Sequence, residues 1–166
     1  MPPAPAYNLR LVDRSGSAIA LQDLAGAVVL ISFTYTNCPE ACPLLTAGYL
    51  QLQQRFSHPL EQGALRLVFI TTDPERDTPA RLQDYTEGVG GRWLFLSGDL
   101  ATLETVWDRF GIYREVRQEI REIVVYHSYK SYLIDRLGRI RHRYVGVWQP
   151  SDLIQDIQSL LAPKPS

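Results

Sequence analysis

The chain has 166 residues, with 17 Lys and Arg against 18 Asp and Glu, for a formal net charge of -1. That balance excludes the broad electrostatic attraction on which nucleic-acid and anionic-lipid binders rely. With 45% hydrophobic and 21% charged residues, the chain is neither disordered nor fibrous, and its length suits one self-sufficient core.

The N-terminal Met1-Pro-Pro-Ala-Pro-Ala6 has neither a basic region nor an apolar core, so it does not read as a signal peptide. Residues 1–6 are expected to be an extended linker, left where an upstream targeting or anchoring segment was removed. Residues 7–162 are expected to form one domain, and 163–166 a frayed end. Nowhere does an apolar run approach the roughly 18 residues that a membrane span needs.

In chain order, two alternating runs at 7–12 and 18–24 flank the turn residues Asp13-Arg14-Ser15-Gly16-Ser17 and predict a β-hairpin. Residues 27–33 form a β-branched run without charge, the pattern of a central strand covered on both faces. Helical spacing begins at Pro39, through Leu44, Leu45, Tyr49, Leu52 and Phe56, and His58-Pro59 is expected to stop it. A second buried strand is predicted at 65–71, followed by a helix to about Glu87 that Asp77-Thr78-Pro79 caps and starts. A third strand is predicted at 93–97, then a helix at 100–110 ended by Gly111.

The charged segment 113–123 has helical spacing but β-friendly residues at its end, so its type is left open. An antiparallel pair is expected at 128–135 and 139–147, around Arg136-Leu-Gly138, and then an amphipathic helix capped by Ser151 and running to Leu161. The order is α/β: a mixed sheet with helices on both faces, an N-terminal β-hairpin and the βαβ–ββα sequence of a thioredoxin-like fold. Tyr35, Trp93, Trp107, Tyr144 and Trp148 are expected to fill the core or its edges, with Tyr35 also placed to shield a site nearby.

Both cysteines lie where the first buried strand meets a helix, the place where such sheets hold their sites. With Pro39 in the first turn, Cys38 would cap the helix and Cys42 would follow one turn later, with both sulfurs on one side. The helix dipole there favours thiolate, the form that binds metal or attacks disulfides. An inert disulfide or two small buried hydrophobes remain the alternatives.

Three intervening residues distinguish this pair from a CxxC redox motif, and two soft thiolates suit Cu(I) or Zn(II), with an imidazole completing a three-coordinate set. Of three histidines, His58 reads as a surface helix-end residue, and His142 has cationic neighbours in Arg141 and Arg143. His127 precedes a strand that begins beside the first helix's N-terminus, which makes it the candidate ligand. Peroxidase chemistry lacks an assignable cationic pocket, and a structural zinc site would need a fourth ligand.

Cys38-Pro-Glu-Ala-Cys42-Pro43, Thr71-Thr-Asp-Pro-Glu-Arg-Asp-Thr-Pro79 and His127-Ser-Tyr-Lys-Ser-Tyr-Leu-Ile-Asp135, taken together, closely resemble the Sco/SenC family of copper chaperones across residues 7–161. The resemblance implies a thioredoxin-like domain binding one copper ion, Cu(I) or Cu(II), through Cys38, Cys42 and His127. It implies a metallochaperone that delivers copper to, or prepares, the CuA centre of cytochrome c oxidase, with the CuA-bearing subunit and other copper chaperones as partners. Its alternative is a thiol-disulfide reductase for that subunit's cysteines, in which Cys38 attacks and Cys42 resolves.

The family's usual setting implies an extracytoplasmic domain, tethered to the membrane through an N-terminal anchor. Asp73 is expected either to support the metal site or docking, or simply to form a turn and helix cap. Family members commonly carry an acidic residue before the histidine and a Gly/Pro-containing loop upstream, whereas here Val124-Val-Tyr126 precedes it.

Overall fold

The computed structural model describes residues 10–38 and 42–163. The expected linker, the start of the first strand at 7–9, the helical turn at Pro39 and the end of the chain at 164–166 lie outside the described residues.

The strands are β1 (Arg10–Val12), β2 (Ala18–Ala20), β3 (Val28–Thr34), β4 (Leu65–Thr71), β5 (Leu94–Leu96), β6 (Arg114–Gln118), β7 (Ile123–His127), β8 (Lys130–Ile134) and β9 (Ile140–Val145). The helices are α1 (Cys42–Arg55), α2 (Ser57–Glu61), α3 (Pro79–Gly88), α4 (Leu100–Arg109) and α5 (Pro150–Leu161). The central sheet has the order β5-β4-β3-β8-β9. β3 pairs in parallel with β4 and antiparallel with β8, as a thioredoxin-like mixed sheet requires.

Alternation along β3 and β4 divides the core into two layers. Leu30, Leu67 and Phe69 pack with Tyr49, Leu52, Leu82 and Leu153 from α1, α3 and α5. Val29, Ile31, Val68 and Ile70 face the opposite way, toward Leu103 and Val106 of α4 and Leu11 of the N-terminal hairpin. Helices therefore cover both faces.

The packing requires one glycine inside a helix. A Cβ at Gly48 of α1 would lie 2.8 Å from Trp148 Cζ3, and that indole donates from Nε1 to Ser131 Oγ at 2.8 Å. Ser131 Oγ in turn lies 2.6 Å from Ser32 Oγ. Helix propensity alone would favour Gly48→Ala by about 1 kcal/mol, but the ring is held by its buried hydrogen bond. The expected net result is a loss of about 1–3 kcal/mol in a denaturant titration, as for other overpacked cores.

The turn between β8 and β9 is built on Asp135. Its carboxylate accepts the N–H groups of Leu137 at 2.9 Å and Arg139 at 3.0 Å, and pairs with the Arg139 and Arg141 guanidinium groups. Burial pushes this carboxyl up, and the hydrogen bonds from Arg139, Leu137 and Arg141 override it, bringing it down to about 2. Because the folded-state value is depressed, the stabilisation is present above the unfolded value of 3.8 and is lost as pH falls toward about 2. Asp135→Asn should be less stable at neutral pH and lose less stability on acidification, as read by urea unfolding at several pH values.

Three sequence expectations differ from the structure. His58-Pro59 does not stop the helical region: both lie in the first turn of α2, where a proline's missing N–H has no partner to lose, and His58 is exposed rather than capping α1. Ser151 does not cap α5. Gln149 holds that position, and its N–H donates to Asp152 Oδ2 at 2.9 Å. The second arm of the N-terminal hairpin ends at Ala20, after which Leu21–Leu24 form a 3-10 helix with Leu21 and Leu24 in the core.

The segment after α4, whose type the sequence left open, forms the antiparallel hairpin β6–β7, and His127 ends β7 shortly before β8 begins at Lys130. Alternating Arg114-Glu-Val-Arg-Gln118 satisfies a period of two as well as any helical spacing, and tertiary pairing with Ile123-Val-Val-Tyr-His127 decides it.

Candidate metal centre

β3 delivers the chain to the carboxyl end of the sheet, and residues 35–38 follow directly. That segment is tied down from the loop between β4 and α3. Asp77, 1% exposed, accepts from the Thr36 N–H at 3.2 Å, from the Thr36 hydroxyl and from the Thr71 hydroxyl at 2.7 Å. Arg81 adds donations to Thr36 Oγ1 at 3.1 Å and Asn37 Oδ1 at 3.0 Å. Burial pushes the Asp77 carboxyl up, and the Thr36 and Thr71 hydrogen bonds pull it back without restoring it.

Asp77 is therefore a positioning residue for Cys38, a role that capping signals in the sequence did not reveal. Asp77→Ala would leave three donors without their acceptor. It should destabilise the protein by about 3 kcal/mol, measured by thermal unfolding, whereas Asp77→Asn keeps one acceptor oxygen and should lose less.

Asp73 sits in the same loop, 3% exposed, and pairs with Arg76. The Arg76 guanidinium lies 5.9 Å from the centre of the Tyr35 ring, so the acidic loop supports the aromatic residue preceding the cysteine segment. Asp73 thus acts through Arg76 and Tyr35, and its N–H donates to Thr71 Oγ1 at 2.9 Å, a turn contact.

Cys38 and Cys42 are joined by a disulfide, with Cα atoms 5.7 Å apart. Cys42 opens the described part of α1 and is 2% exposed, while Cys38 is half-buried in the preceding loop. Cys38 is the more exposed of the two residues. Tyr35, Cys38, Cys42 and Val125 pack together as a small cluster separate from the two core layers.

His127 reaches this cluster because β8 pairs with β3 in a register that sets Ser131 opposite Ser32. The chain entering β8 therefore comes from the carboxyl end of β3, beside the cysteine segment. The hairpin is fastened there twice. Val125 N–H donates to the Tyr35 hydroxyl at 3.4 Å. Arg114, paired with His127 across the hairpin, donates to the Thr72 carbonyl at 2.6 Å and to Glu75 at 3.0 Å, with its guanidinium 4.8 Å from the Trp107 ring centre.

The imidazole is 7% exposed and flanked by Tyr35 and Tyr129, with ring centres 5.9 Å and 4.7 Å away. His127 Nδ1 lies 2.9 Å from the Ser128 carbonyl oxygen, which only accepts, so Nδ1 carries the proton and Nε2 presents its lone pair. Nε2 is buried with no hydrogen-bond partner among the described residues. Burial holds the imidazole below its ordinary pKa, partly offset by the Ser128 carbonyl.

A neutral ring with one nitrogen fixed by a carbonyl and the other unpartnered is the form that ligates a metal. Cys38, Tyr35, Val125, Tyr129 and His127 line one open pocket of about 670 Å³. Among the described residues, no three His, Cys, Asp or Glu side chains are gathered as a ready-made metal cluster. Both sulfurs are bonded to each other, and two thiolates exist only after that bond takes up two electrons. The donor types then fit a soft ion: two sulfurs on one turn and an imidazole nitrogen in the adjoining pocket.

The other histidines stand apart. His58 is exposed on α2. His142 faces Asp156 at 3.5 Å on β9.

Residues 5–162 match the family model described as SCO1/SenC. An SCO2-like protein of Rickettsia typhi is 32% identical over 143 residues, covering 82% of this chain and 68% of the relative. The SCO1 protein homolog of Bacillus subtilis is 28% identical over 152 residues, covering 89% of this chain and 78% of the relative. Among solved structures, Bradyrhizobium japonicum ScoI with copper bound superposes with a TM-score of 0.78 at 28% identity, covering 92% of this chain and 96% of that one. Yeast Sco1 with copper bound gives 0.74 at 25% identity, covering 91% and 84%.

Proposed function

This chain belongs to the SCO1/SenC family, and from that premise we propose that it is a copper metallochaperone whose cargo is held by Cys38, Cys42 and His127. The observation that carries the reading is the buried Nε2 of His127, which has no hydrogen-bond partner among the described residues and shares a pocket with Cys38. A buried polar atom without a partner costs about 1–3 kcal/mol, and a metal ion supplies the missing interaction. The copper-bound relatives support copper over zinc.

Loading begins with reduction of the Cys38–Cys42 disulfide: two electrons from a thiol or dithiol donor break the S–S bond, and each sulfur becomes a thiolate or takes a proton. Cu(I) then meets two soft sulfurs and a neutral nitrogen. A three-coordinate ion in an open pocket leaves a position for an incoming ligand, which is the route for transfer to a partner. The partner in this reading is the CuA-bearing subunit of cytochrome c oxidase, with other copper chaperones as donors. The domain works outside the cytoplasm and is tethered to the membrane in the full-length protein. A Bacillus anthracis relative described as a SCO1/SenC family lipoprotein supports that setting, and among the described residues no helix is long and apolar enough to cross a membrane.

One observation favours a second reading, thiol-disulfide reduction of the partner's cysteines. The two sulfurs are unequal, Cys38 accessible and Cys42 buried, as an attacking and a resolving thiol would be. Incubating the reduced, copper-free protein with an oxidised CuA domain separates the two. Release of that domain's thiols with formation of the Cys38–Cys42 bond supports the reductase. No thiol release in that reaction, with copper passing from the Cu(I)-loaded protein to the reduced CuA domain in a parallel one, supports the chaperone alone.

A further inference from the structure

The two sulfurs and the imidazole reach the pocket by different routes. The cysteine segment leaves β3 in the middle of the central sheet, whereas His127 ends β7 of a hairpin that forms a separate two-stranded sheet. No strand ladder runs between β7 and β3. Where the ring comes to rest therefore depends on the side chains that seat the hairpin and on the short link, Ser128 and Tyr129, to β8.

Alternation along β6 puts Glu115 and Arg117 on one face and Arg114 on the other. Glu115 and Arg117 pair with each other at 2.8 Å. Arg114 turns toward the domain, with its side chain 13% exposed, and the register sets it directly opposite His127. The neighbouring Tyr113 and Ser128 carry the backbone bond, so Arg114 and His127 are a non-hydrogen-bonded pair, with Cα atoms about 4.5 Å apart and side chains on one face. What holds one of them holds the other.

Arg114 directs its donors to the end of β4 and the loop after it. Nε donates to the Thr72 carbonyl at 2.6 Å, Nη2 to the Glu75 carboxylate at 3.0 Å, and the guanidinium lies 4.8 Å from the centre of the Trp107 ring. Trp107 is itself buried and donates from Nε1 to the Thr71 carbonyl at 3.2 Å. The cysteine segment is tied to the same two threonines. Thr71 Oγ1 donates to Asp77, whose carboxylate holds Thr36, and the Thr72 N–H donates to the Thr34 carbonyl at 2.9 Å. Thr71 and Thr72 are thus one fixed point to which both sides of the site are fastened.

The hairpin's tie to Tyr35, through the Val125 N–H, is 3.4 Å long, beyond the usual range for such a bond. Short bonds from a charged donor are the stronger kind, and a guanidinium fork over an aromatic ring also fixes direction. Arg114 is therefore the firmer of the two ties.

We infer that Arg114 is a positioning residue for the metal centre: by binding the end of β4 it holds the strand opposite His127 and so keeps the imidazole beside the cysteine segment. It is no ligand itself, since a guanidinium offers donors and no acceptor. Its effect on copper affinity rests on the metallochaperone reading; the placing of the ring does not.

Arg114→Met keeps a long stem and removes every donor. In the reduced protein it should weaken Cu(I) binding by about 10–100-fold, the range for losing a group that orients a ligand. Arg114→Lys keeps the cation and a donor for the Thr72 carbonyl and should lose less. In a His127→Ala background Arg114→Met should change affinity by less than about twofold, because the ring it places is gone; a general loosening of the site would instead add to the His127→Ala loss. A second readout needs no copper. In the metal-free, oxidised protein the nuclear Overhauser contact between the His127 and Tyr35 rings, whose centres are 5.9 Å apart, should weaken in Arg114→Met and persist in Arg114→Lys, with amide protection in β3 and β4 unchanged in both. Where Arg114→Met does not fold, Arg114→Lys with and without His127 carries the same comparison. Wild-type copper affinity in the Arg114 variants, an equal loss with and without His127, or an unaltered ring contact in Arg114→Met would overturn the positioning role. Failure of the copper reading would show separately, as a His127→Ala variant that binds Cu(I) as tightly as wild type.

Discussion

His127→Ala in the reduced protein should weaken Cu(I) binding by about 100-fold or more, measured by competition against a chromophoric chelator. Loss of an outer-shell partner alone typically costs 10–100-fold in metal affinity, and this substitution removes a ligand. Its cost in folding stability should be limited to the lost ring packing against Tyr35 and Tyr129, because among the described residues Nε2 has no hydrogen-bond partner and the Nδ1 contact reaches only the adjacent Ser128 carbonyl. A large affinity loss without a large stability loss separates a ligand from a core residue. If copper affinity is unchanged while stability falls, the ring is structural.

Cys38→Ser and Cys42→Ser should each reduce copper affinity by roughly 100-fold or more, since a hydroxyl replaces a soft thiolate that this cation prefers. Their stability effects should differ. Either substitution removes the disulfide that closes a five-residue loop, worth about 2 kcal/mol against the oxidised wild type on the chain-entropy estimate. Cys42→Ser also places a hydroxyl at a site 2% exposed, packed with Tyr35 and Val125, and costs about 1–3 kcal/mol more if that hydroxyl finds no partner. Denaturant titrations of both variants beside oxidised and reduced wild type would resolve the two contributions. Oxidised wild type should bind no Cu(I) until a reductant is added, because the bonded sulfurs are not thiolates.

Much of the fold was legible because its strands are buried on both faces. Residues 28–34 and 65–71 are apolar or β-branched runs broken only by Ser32 and Arg66, and such a pattern has few other destinations in a chain of this length. Thr78-Pro79 acts locally and starts α3 in the structure. Cys38 and Cys42 were visible as a pair from spacing alone.

What the sequence did not disclose is long-range. The hairpin of β6 and β7 depends on pairing between a charged, largely exposed run, Arg114–Gln118, and a short β-branched one, Ile123–His127, and the charged run has no apolar face to declare a period. The Asp77–Thr36 clamp joins residues 41 positions apart, and Asp77 reads locally as helix-cap chemistry. His127 was singled out from topology, but neither its tautomer nor the lack of a partner for Nε2 among the described residues could be read there, since both depend on where Ser128 and Tyr35 come to rest.

The most direct test of the central claim is X-ray absorption at the copper edge of the reduced protein loaded with one equivalent of Cu(I). The account predicts a first shell of two sulfurs and one imidazole nitrogen, with the imidazole contribution gone in His127→Ala and one sulfur gone in Cys38→Ser. A wild-type first shell lacking either sulfur, or an imidazole signal that survives in His127→Ala, would contradict it.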